Sequence, residues 1–211
     1  MPTGTIAIFG ATGRTGRRLV EAALAAGYAV RALARDPSRV APRDGVTVVT
    51  GDVLDPAAVA ATVAGCSGAL TALGGGTTAE PGQTRSQGIA HIVAALQAQG
   101  GGRIVALGGG GVLDSTTGPG LRSEQLGYPE VFKRVTAEHR AACDRLRAST
   151  LAWTYVCPPD IPDGDATGNY RVAADVMPER PKALPTGDLA AFMVGEYGER
   201  RFVGHRVGIC T

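Results

Sequence analysis

The chain is poor in aromatic side chains. Phe, Trp and Tyr together make up 5% of its 211 residues, with a single Trp. A core with so few rings must be filled mainly by Ala, Val, Leu and Ile. Net charge is also small, +2 at pH 7, and no basic tail is present. The electrostatic footprint of a nucleic-acid binder is therefore missing, and no nucleic acid is expected as a partner. No apolar run approaches the roughly 18 residues of a membrane-spanning helix. The chain runs from Met1 into a strand pattern within a few residues, without the layout of a secretory signal. Its four cysteines, Cys66, Cys143, Cys157 and Cys210, form no Cys-x-x-Cys pair. They read as reduced packing residues of a cytoplasmic protein rather than as nucleophiles. No cluster of His, Cys and carboxylates has metal-site spacing, so no metal is expected. The Gly-x-Ser-x-Gly of a serine hydrolase is absent as well.

Glycine is plentiful instead. Its 31 residues are about twice ordinary usage and ask for a fold rich in tight turns and close backbone contacts. Strand-like and helix-like segments alternate along the chain. Strands are expected at Thr5–Phe9, Ala29–Ala34, Val46–Thr50, Ala69–Leu73, Arg103–Leu107, Ala152–Val156 and around Arg201–Ile209. Helices are expected over Arg14–Ala26, from Pro56 to about Val63, over Thr84–Gln99, about Pro129–Ala148, and around Asp188–Tyr197. Asp55-Pro56 reads as an N-cap followed by Pro at the first helical position. Ile89, Ile92, Val93 and Leu96 recur with helical spacing. This alternation predicts an α/β fold, a doubly wound parallel sheet with helices on both faces. One domain over 1–211 is expected, with 158–211 lying over the sheet as a small substrate-side lobe.

The opening stretch Ile6-Ala-Ile-Phe-Gly-Ala-Thr-Gly-Arg-Thr-Gly16 places three glycines between a strand and a helix. That is the arrangement of a phosphate-binding corner. Gly10 permits the sharp turn, Gly13 lets a pyrophosphate lie against the backbone, and Gly16 lets the helix pack on the strand. The first amides of the helix then face the anion. The end of the second strand distinguishes the two dinucleotides. Arg35, Ser38 and Arg39, with Arg14 from the glycine turn, favour the 2′-phosphate of NADP, since guanidinium forks suit phosphate. Asp36 is the complication. It can pair with Arg35 or Arg39, or reach a ribose hydroxyl as in NAD sites.

The stretches IAIFGATGRTG, LARDPSRV, VVTGDVLD, SQGIAHIVAALQAQG, WTYVCPPDI and LPTGDLAAFMV together resemble the atypical short-chain dehydrogenase/reductases. The resemblance is to the NAD(P)H-binding group that includes biliverdin-IXβ reductase and flavin reductases. It implies a Rossmann fold with Gly10, Thr12, Gly13, Arg14 and Thr15 along the pyrophosphate. Asp52 and Val53 would flank the adenine, and Leu73 and Gly74 would pass the adenine-side ribose and diphosphate. Leu107, Gly108 and Gly109 would lie beside the nicotinamide, with Pro158 and Pro159 along its other edge. The chain also departs from that pattern. The Tyr-x-x-x-Lys pair has only a one-residue-too-long match, from Tyr128 to Lys133. Gly108–Gly111 stands where those reductases carry Thr-Ser, and Asp160 stands where they carry His.

Candidate proton donors are Tyr128, Asp160 and Ser123, with Tyr155 read mainly as a core residue. His139 reads as a satisfied helix-face histidine. Loops 108–128 and 158–170 are expected to enclose a small-molecule acceptor, and the four glycines to leave flat space for it. The function implied is NADPH-dependent reduction of a planar conjugated molecule: a flavin, a quinone, or an aromatic or enone natural product. Two rivals remain open here. One is a redox-neutral isomerase, dehydratase or cyclase on the same fold. The other is an NADPH sensor that controls a partner protein. The oligomeric state is left open.

Overall fold

The computed structural model describes residues 4–211. Its eight strands are β1 (Thr5–Phe9), β2 (Ala29–Ala34), β3 (Val46–Thr50), β4 (Gly68–Thr71), β5 (Arg103–Leu107), β6 (Ala152–Cys157), β7 (Arg171–Ala174) and β8 (His205–Cys210). They form one sheet in the order β3-β2-β1-β4-β5-β6-β8-β7. Every pairing is parallel except β7 with β8. The five helices are α1 (Arg14–Ala25), α2 (Pro56–Val63), α3 (Thr84–Ala98), α4 (Lys133–Arg147) and α5 (Thr186–Glu199). This is the expected Rossmann architecture.

Strand residues point alternately to two apolar layers. Ala7, Phe9, Ile104 and Tyr155 join the cluster under α2, α3 and α4, while Ile6, Ile8, Leu70 and Val156 join the one under α1 and α5. Burial on both faces explains why the central strands read as apolar runs without polar alternation. The order of strands reverses direction between β1 and β4. That switch opens a crevice at the carboxyl ends of the strands, where open α/β sheets take their ligands.

Three elements differ from the sequence expectation. β7 is not legible because Arg-Val-Ala-Ala at a sheet edge has no apolar run of its own, and only pairing with β8 makes it a strand. Arg201–Gly204 form a turn instead of the start of the last strand, following the left-handed Arg200 (φ 57°) that ends α5. The third difference concerns the segment after Pro158. Rather than lying over the sheet, α5, β7 and β8 complete the sheet and its helical layer. The reason is burial. α5 is apolar around most of its circumference, with Leu189, Phe192, Met193 and Val194 enclosed. Its buried Asp188 is satisfied by the amides of Thr167 and Gly168 and the hydroxyl of Thr167, at 2.7–2.8 Å.

A buried ion pair ties α5 to the amino end of β5. Arg103 Nη2 lies 2.7 Å from Glu196 Oε1 and 2.6 Å from Thr154 Oγ1. Burial lowers the Arg103 pKa to about 10, against the opposing pull of Glu196. It holds the end of the sheet remote from the crevice.

Candidate functional site

The glycine turn separates glycines the fold needs from one it does not. Gly10 has φ 82°, and a Cβ there would sit 2.5 Å from the Ala72 carbonyl oxygen of the neighbouring strand's exit. A Cβ on Gly16 would collide with the Gly10 carbonyl. Both are demanded by the approach of backbone to backbone. Gly13 is different. Its Cβ would meet only the Gly10 carbonyl oxygen, at 3.4 Å, and its φ is an ordinary −78°. Gly13 is also the N-cap of α1, makes no side-chain cap and precedes a first turn without acidic residues. The amides of Arg14, Thr15 and Gly16 have no hydrogen-bond partner among the described residues. Three free donors beside an open glycine fit a diphosphate. Thr12 lies between the two glycines, partly exposed.

The residues after β2 resolve the Asp36 question. Its carboxylate pairs with no arginine. Oδ1 accepts from the Ser38 amide at 3.0 Å and from the Ser38 hydroxyl at 2.6 Å, capping a short 3-10 turn over Pro37–Arg39. The Ser38 hydroxyl bond, then the amide bond, holds the Asp36 carboxyl below its usual range. The Ser38 proton is thus committed to Asp36. Arg14, Arg35 and Arg39 are exposed and make no ion pair among the described residues. Beside them, α1 and the β2–β3 connection enclose a cavity of about 240 Å³ lined by Ala11, Arg17, Ser38, Arg39 and Arg43, among others. Arg43 is held by Glu21 at 3.2 Å, whereas Arg17 has no ion-pair partner among the described residues. Arg17 was not legible as a site residue. Its only signal is its place one turn beyond Gly13.

Asp52 caps its own turn, Oδ1 accepting from the Leu54 amide at 2.9 Å. Val53 and Leu73 are both buried against α3, where Gly88 admits their methyl groups. His91 bonds the Val53 carbonyl through Nδ1 at 2.9 Å and steadies that loop. Gly74, at the exit of β4, is exposed, and a Cβ there would meet nothing within 4 Å. Val53 and Leu73 thus present little side chain to solvent, whereas Gly74 is open.

The second glycine run contradicts the expectation of flat empty space. A Cβ on Gly108 would lie 2.6 Å from the Tyr155 ring and 2.8 Å from Cys157 Sγ. One on Gly109 would lie 2.8 Å from His139 Cδ2 and 3.1 Å from its Nε2. Gly110 faces Met177, and Gly111 faces Tyr128 and Thr136. These glycines seat side chains from α4, β6 and the loops. Among them are Tyr155, read from sequence mainly as a core residue, and His139, read as a satisfied helix-face histidine. His139 Nδ1 lies 3.0 Å from Tyr155 Oη, which also donates to the His139 carbonyl at 3.2 Å. Burial, reinforced by Arg85, drives the His139 pKa down to about 3, and burial pushes the Tyr155 phenol well up. Arg85 itself donates to the Gly75 carbonyl at 3.2 Å. Leu107 ends β5 half-buried, while Pro158 is buried and Pro159 partly exposed just beyond β6.

A larger cavity of about 390 Å³ opens beside this run. Its walls come from residues 114–117, 125–129 and 177–181, so loop 177–181 takes the place expected of 158–170. Tyr128 lines it, with Oη 2.8 Å from Thr136 Oγ1. Lys133 does not partner Tyr128. It pairs with Glu130 at 2.7 Å on the surface. Asp160 is exposed and caps the Ile161 amide at 2.9 Å, and neither it nor Ser123 lines the cavity. All four cysteines are free and buried. Burial raises the thiol pKa of Cys66, Cys143 and Cys157, Cys143 to about 11. No group of three or more metal-ligating side chains occurs among the described residues, and no described helix is long and apolar enough to cross a membrane.

Residues 10–198 match the sequence model of the NAD(P)H-binding family. A Burkholderia pseudomallei protein provisionally named an exported protein superposes with a TM-score of 0.79 at 28% identity, over 99% of this chain and 100% of that one. A Streptococcus pneumoniae protein provisionally named an NADH-flavin reductase gives 0.84 at 24% identity, over 98% and 99%. A Bacteroides thetaiotaomicron protein provisionally named an epimerase gives 0.84 at 23%, over 99% and 97%. At such identities the last two likenesses speak to the fold. With the family match running through the glycine turn at the switch point, the chain belongs to the NAD(P)H-binding family.

Proposed function

We propose that the chain is a cytoplasmic, NADPH-dependent reductase of a planar conjugated small molecule: a flavin, a quinone, or an aromatic or enone natural product. The observation that carries this reading is the turn at Gly13, where three helix amides have no hydrogen-bond partner among the described residues and a Cβ on Gly13 would meet only the Gly10 carbonyl oxygen, at 3.4 Å. The preference for NADPH rests on Arg14, Arg17, Arg35 and Arg39, all without ion-pair partners among the described residues. It also rests on Asp36, whose Oδ1 is engaged by the Ser38 amide and hydroxyl. Bound reduced nicotinamide supplies the hydride. The chain's task is to orient it and to keep water from the acceptor. Tyr128 is the candidate proton-transfer group because it alone of the three candidates lines the larger cavity.

A redox-neutral reaction on the same scaffold is the second reading. It is favoured by the broken Tyr-x-x-x-Lys pair, since Lys133 is held by Glu130. Fluorescence titration with NADPH and NADH, followed by FMN and a simple quinone, separates the two. The expected result is tighter binding of NADPH and its oxidation by at least one acceptor. Arg35→Ala should cost about tenfold in NADPH affinity and leave NADH unchanged. Absence of nucleotide binding overturns the proposal. Binding without oxidation moves the redox-neutral enzyme, or a sensor, ahead of it.

A further inference from the structure

The larger cavity, beside the second glycine run, carries two arginines that no carboxylate pairs with. Arg122 and Arg180 both line it, and neither guanidinium has a hydrogen-bond or ion-pair partner among the described residues. The acids around Arg122 are engaged elsewhere. Glu124, two residues on, accepts from the Leu121 amide at 2.8 Å through one oxygen and pairs with Arg140 at 2.9 Å through the other. Asp114, on the cavity wall, is held by Arg206 at 2.8 Å. The other nitrogens of Arg206 go to Asp175 at 3.3 Å and to the Val112 carbonyl at 2.6 Å. Arg122 is half-buried, and its amide donates to the Leu113 carbonyl at 2.8 Å, which fixes its backbone. Arg180 is exposed, yet its backbone is left-handed, with φ 49°, a conformation that a Cβ makes costly. Arg171 holds it there, donating to the Glu179 carbonyl at 2.8 Å and to the Arg180 carbonyl at 3.5 Å. Pro178 and Pro181 stiffen the loop on either side. A strained residue kept in place by its surroundings points to a ligand clamp. Glu179 is the one acid of the lining without a partner, so two guanidinium groups stand against one carboxylate.

The rest of the wall is of another kind. The Leu126 side chain is fully exposed, and Tyr128, Pro129 and Met177 share the lining with it. Leucine, phenol and thioether offer apolar surface to a conjugated body, while the unpaired guanidinium groups offer two forks to an anion. We propose that the molecule taken by this cavity is an acid, a planar conjugated body that carries a phosphate or carboxylate, and that Arg122 and Arg180 bind its anionic group. The inference rests on the reading of this cavity as the acceptor site. It narrows that reading from planar molecules in general to anionic ones.

The test uses the whole protein and pairs of molecules that share a ring system and differ in charge. FMN is set against riboflavin, and anthraquinone-2-carboxylate against 2-(hydroxymethyl)anthraquinone, with dissociation constants read by equilibrium dialysis. Each titration is run with and without saturating NADP⁺, which displaces any probe held in the nucleotide crevice. The anionic member of at least one pair should bind about tenfold more tightly, and sodium chloride should shrink that margin. A margin for FMN alone identifies a phosphate, one for the anthraquinone carboxylate alone a carboxylate, and a margin for both a site that reads charge. Arg122→Gln should remove most of the margin, and the more exposed Arg180→Gln should lower it about threefold, with the neutral members unmoved. Glu179→Gln should widen it about twofold. Equal binding within both pairs overturns the inference. So does a margin that NADP⁺ abolishes, or one that survives Arg122→Gln and Arg180→Gln together. Failure of all four molecules to bind overturns it as well. In each case oxidation of NADPH by any acceptor leaves the proposed reductase standing, and only its absence removes that reading.

Discussion

Gly10, Gly13 and Gly16 follow β1, and Gly108 to Gly111 follow β5. In the sequence both runs read as loosened backbone beside a ligand. In the structure they differ by what occupies the space a side chain would take. After β1 that space is taken by backbone at Gly10 and Gly16, whereas at Gly13 a Cβ would make only an ordinary 3.4 Å contact with the Gly10 carbonyl oxygen. After β5 it is filled at every position by side chains: Tyr155, His139, Met177, and Tyr128 with Thr136. The first run leaves room at Gly13, where the proposed diphosphate would lie. The second gives up its own side chains so that α4 and β6 can bring chemically useful ones to the same edge. Glycine richness alone therefore does not mark a ligand surface. Position relative to neighbouring elements does.

The largest effect that tests this contrast comes from Gly16→Ala. A methyl group driven into the Gly10 carbonyl should destabilise the protein by about 3 kcal/mol, a drop of roughly 10 °C in Tm. If stability is unchanged, the backbone contact is not the reason for that glycine.

The second run makes a pH prediction. The ordinary histidine pKa is 6.5, and His139 titrates at about 3 in the fold. Between those values the unfolded chain binds a proton that the folded protein refuses. His139's contribution to stability is therefore complete above about pH 6.5. It falls as pH drops toward 3, by about 1.4 kcal/mol per pH unit at most. Urea unfolding of the wild type and His139→Gln between pH 7 and 4 reads the difference. Parallel pH profiles would mean that the imidazole is not held neutral.

Gly109→Ala should push the His139 ring from its seat at a cost of about 1–2 kcal/mol, read by urea unfolding against the wild type. The smallest effect on stability belongs to Gly13→Ala, expected within about 0.5 kcal/mol. Its nucleotide affinity should nevertheless fall at least about tenfold. Together, Gly16→Ala and Gly13→Ala separate a glycine kept for the fold from one kept for a ligand. Loss of stability in both would erase the distinction.

The local chemistry of the sequence determined the β-α alternation, the cap at Asp55-Pro56 and the glycine corner after β1. Each depends on residues adjacent in the chain: apolar periodicity, a carboxylate reaching an amide two residues on, and three glycines between strand and helix. These signals carry the Rossmann fold and the dinucleotide site. What they could not carry depends on residues far apart. β7 exists only because β8 pairs with it. Asp36 is equally placed in sequence to meet Arg35, Arg39 or Ser38, and the backbone turn selects Ser38. Val53 and Leu73 meet through Gly88 of α3. His139 and Tyr155 are sixteen residues apart on a helix and a strand, each unremarkable on its own face, and packing across Gly108 and Gly109 makes them a pair. Propensity and spacing act over a few residues, whereas burial and long-range side-chain contact are properties of surfaces that meet only after the chain has folded.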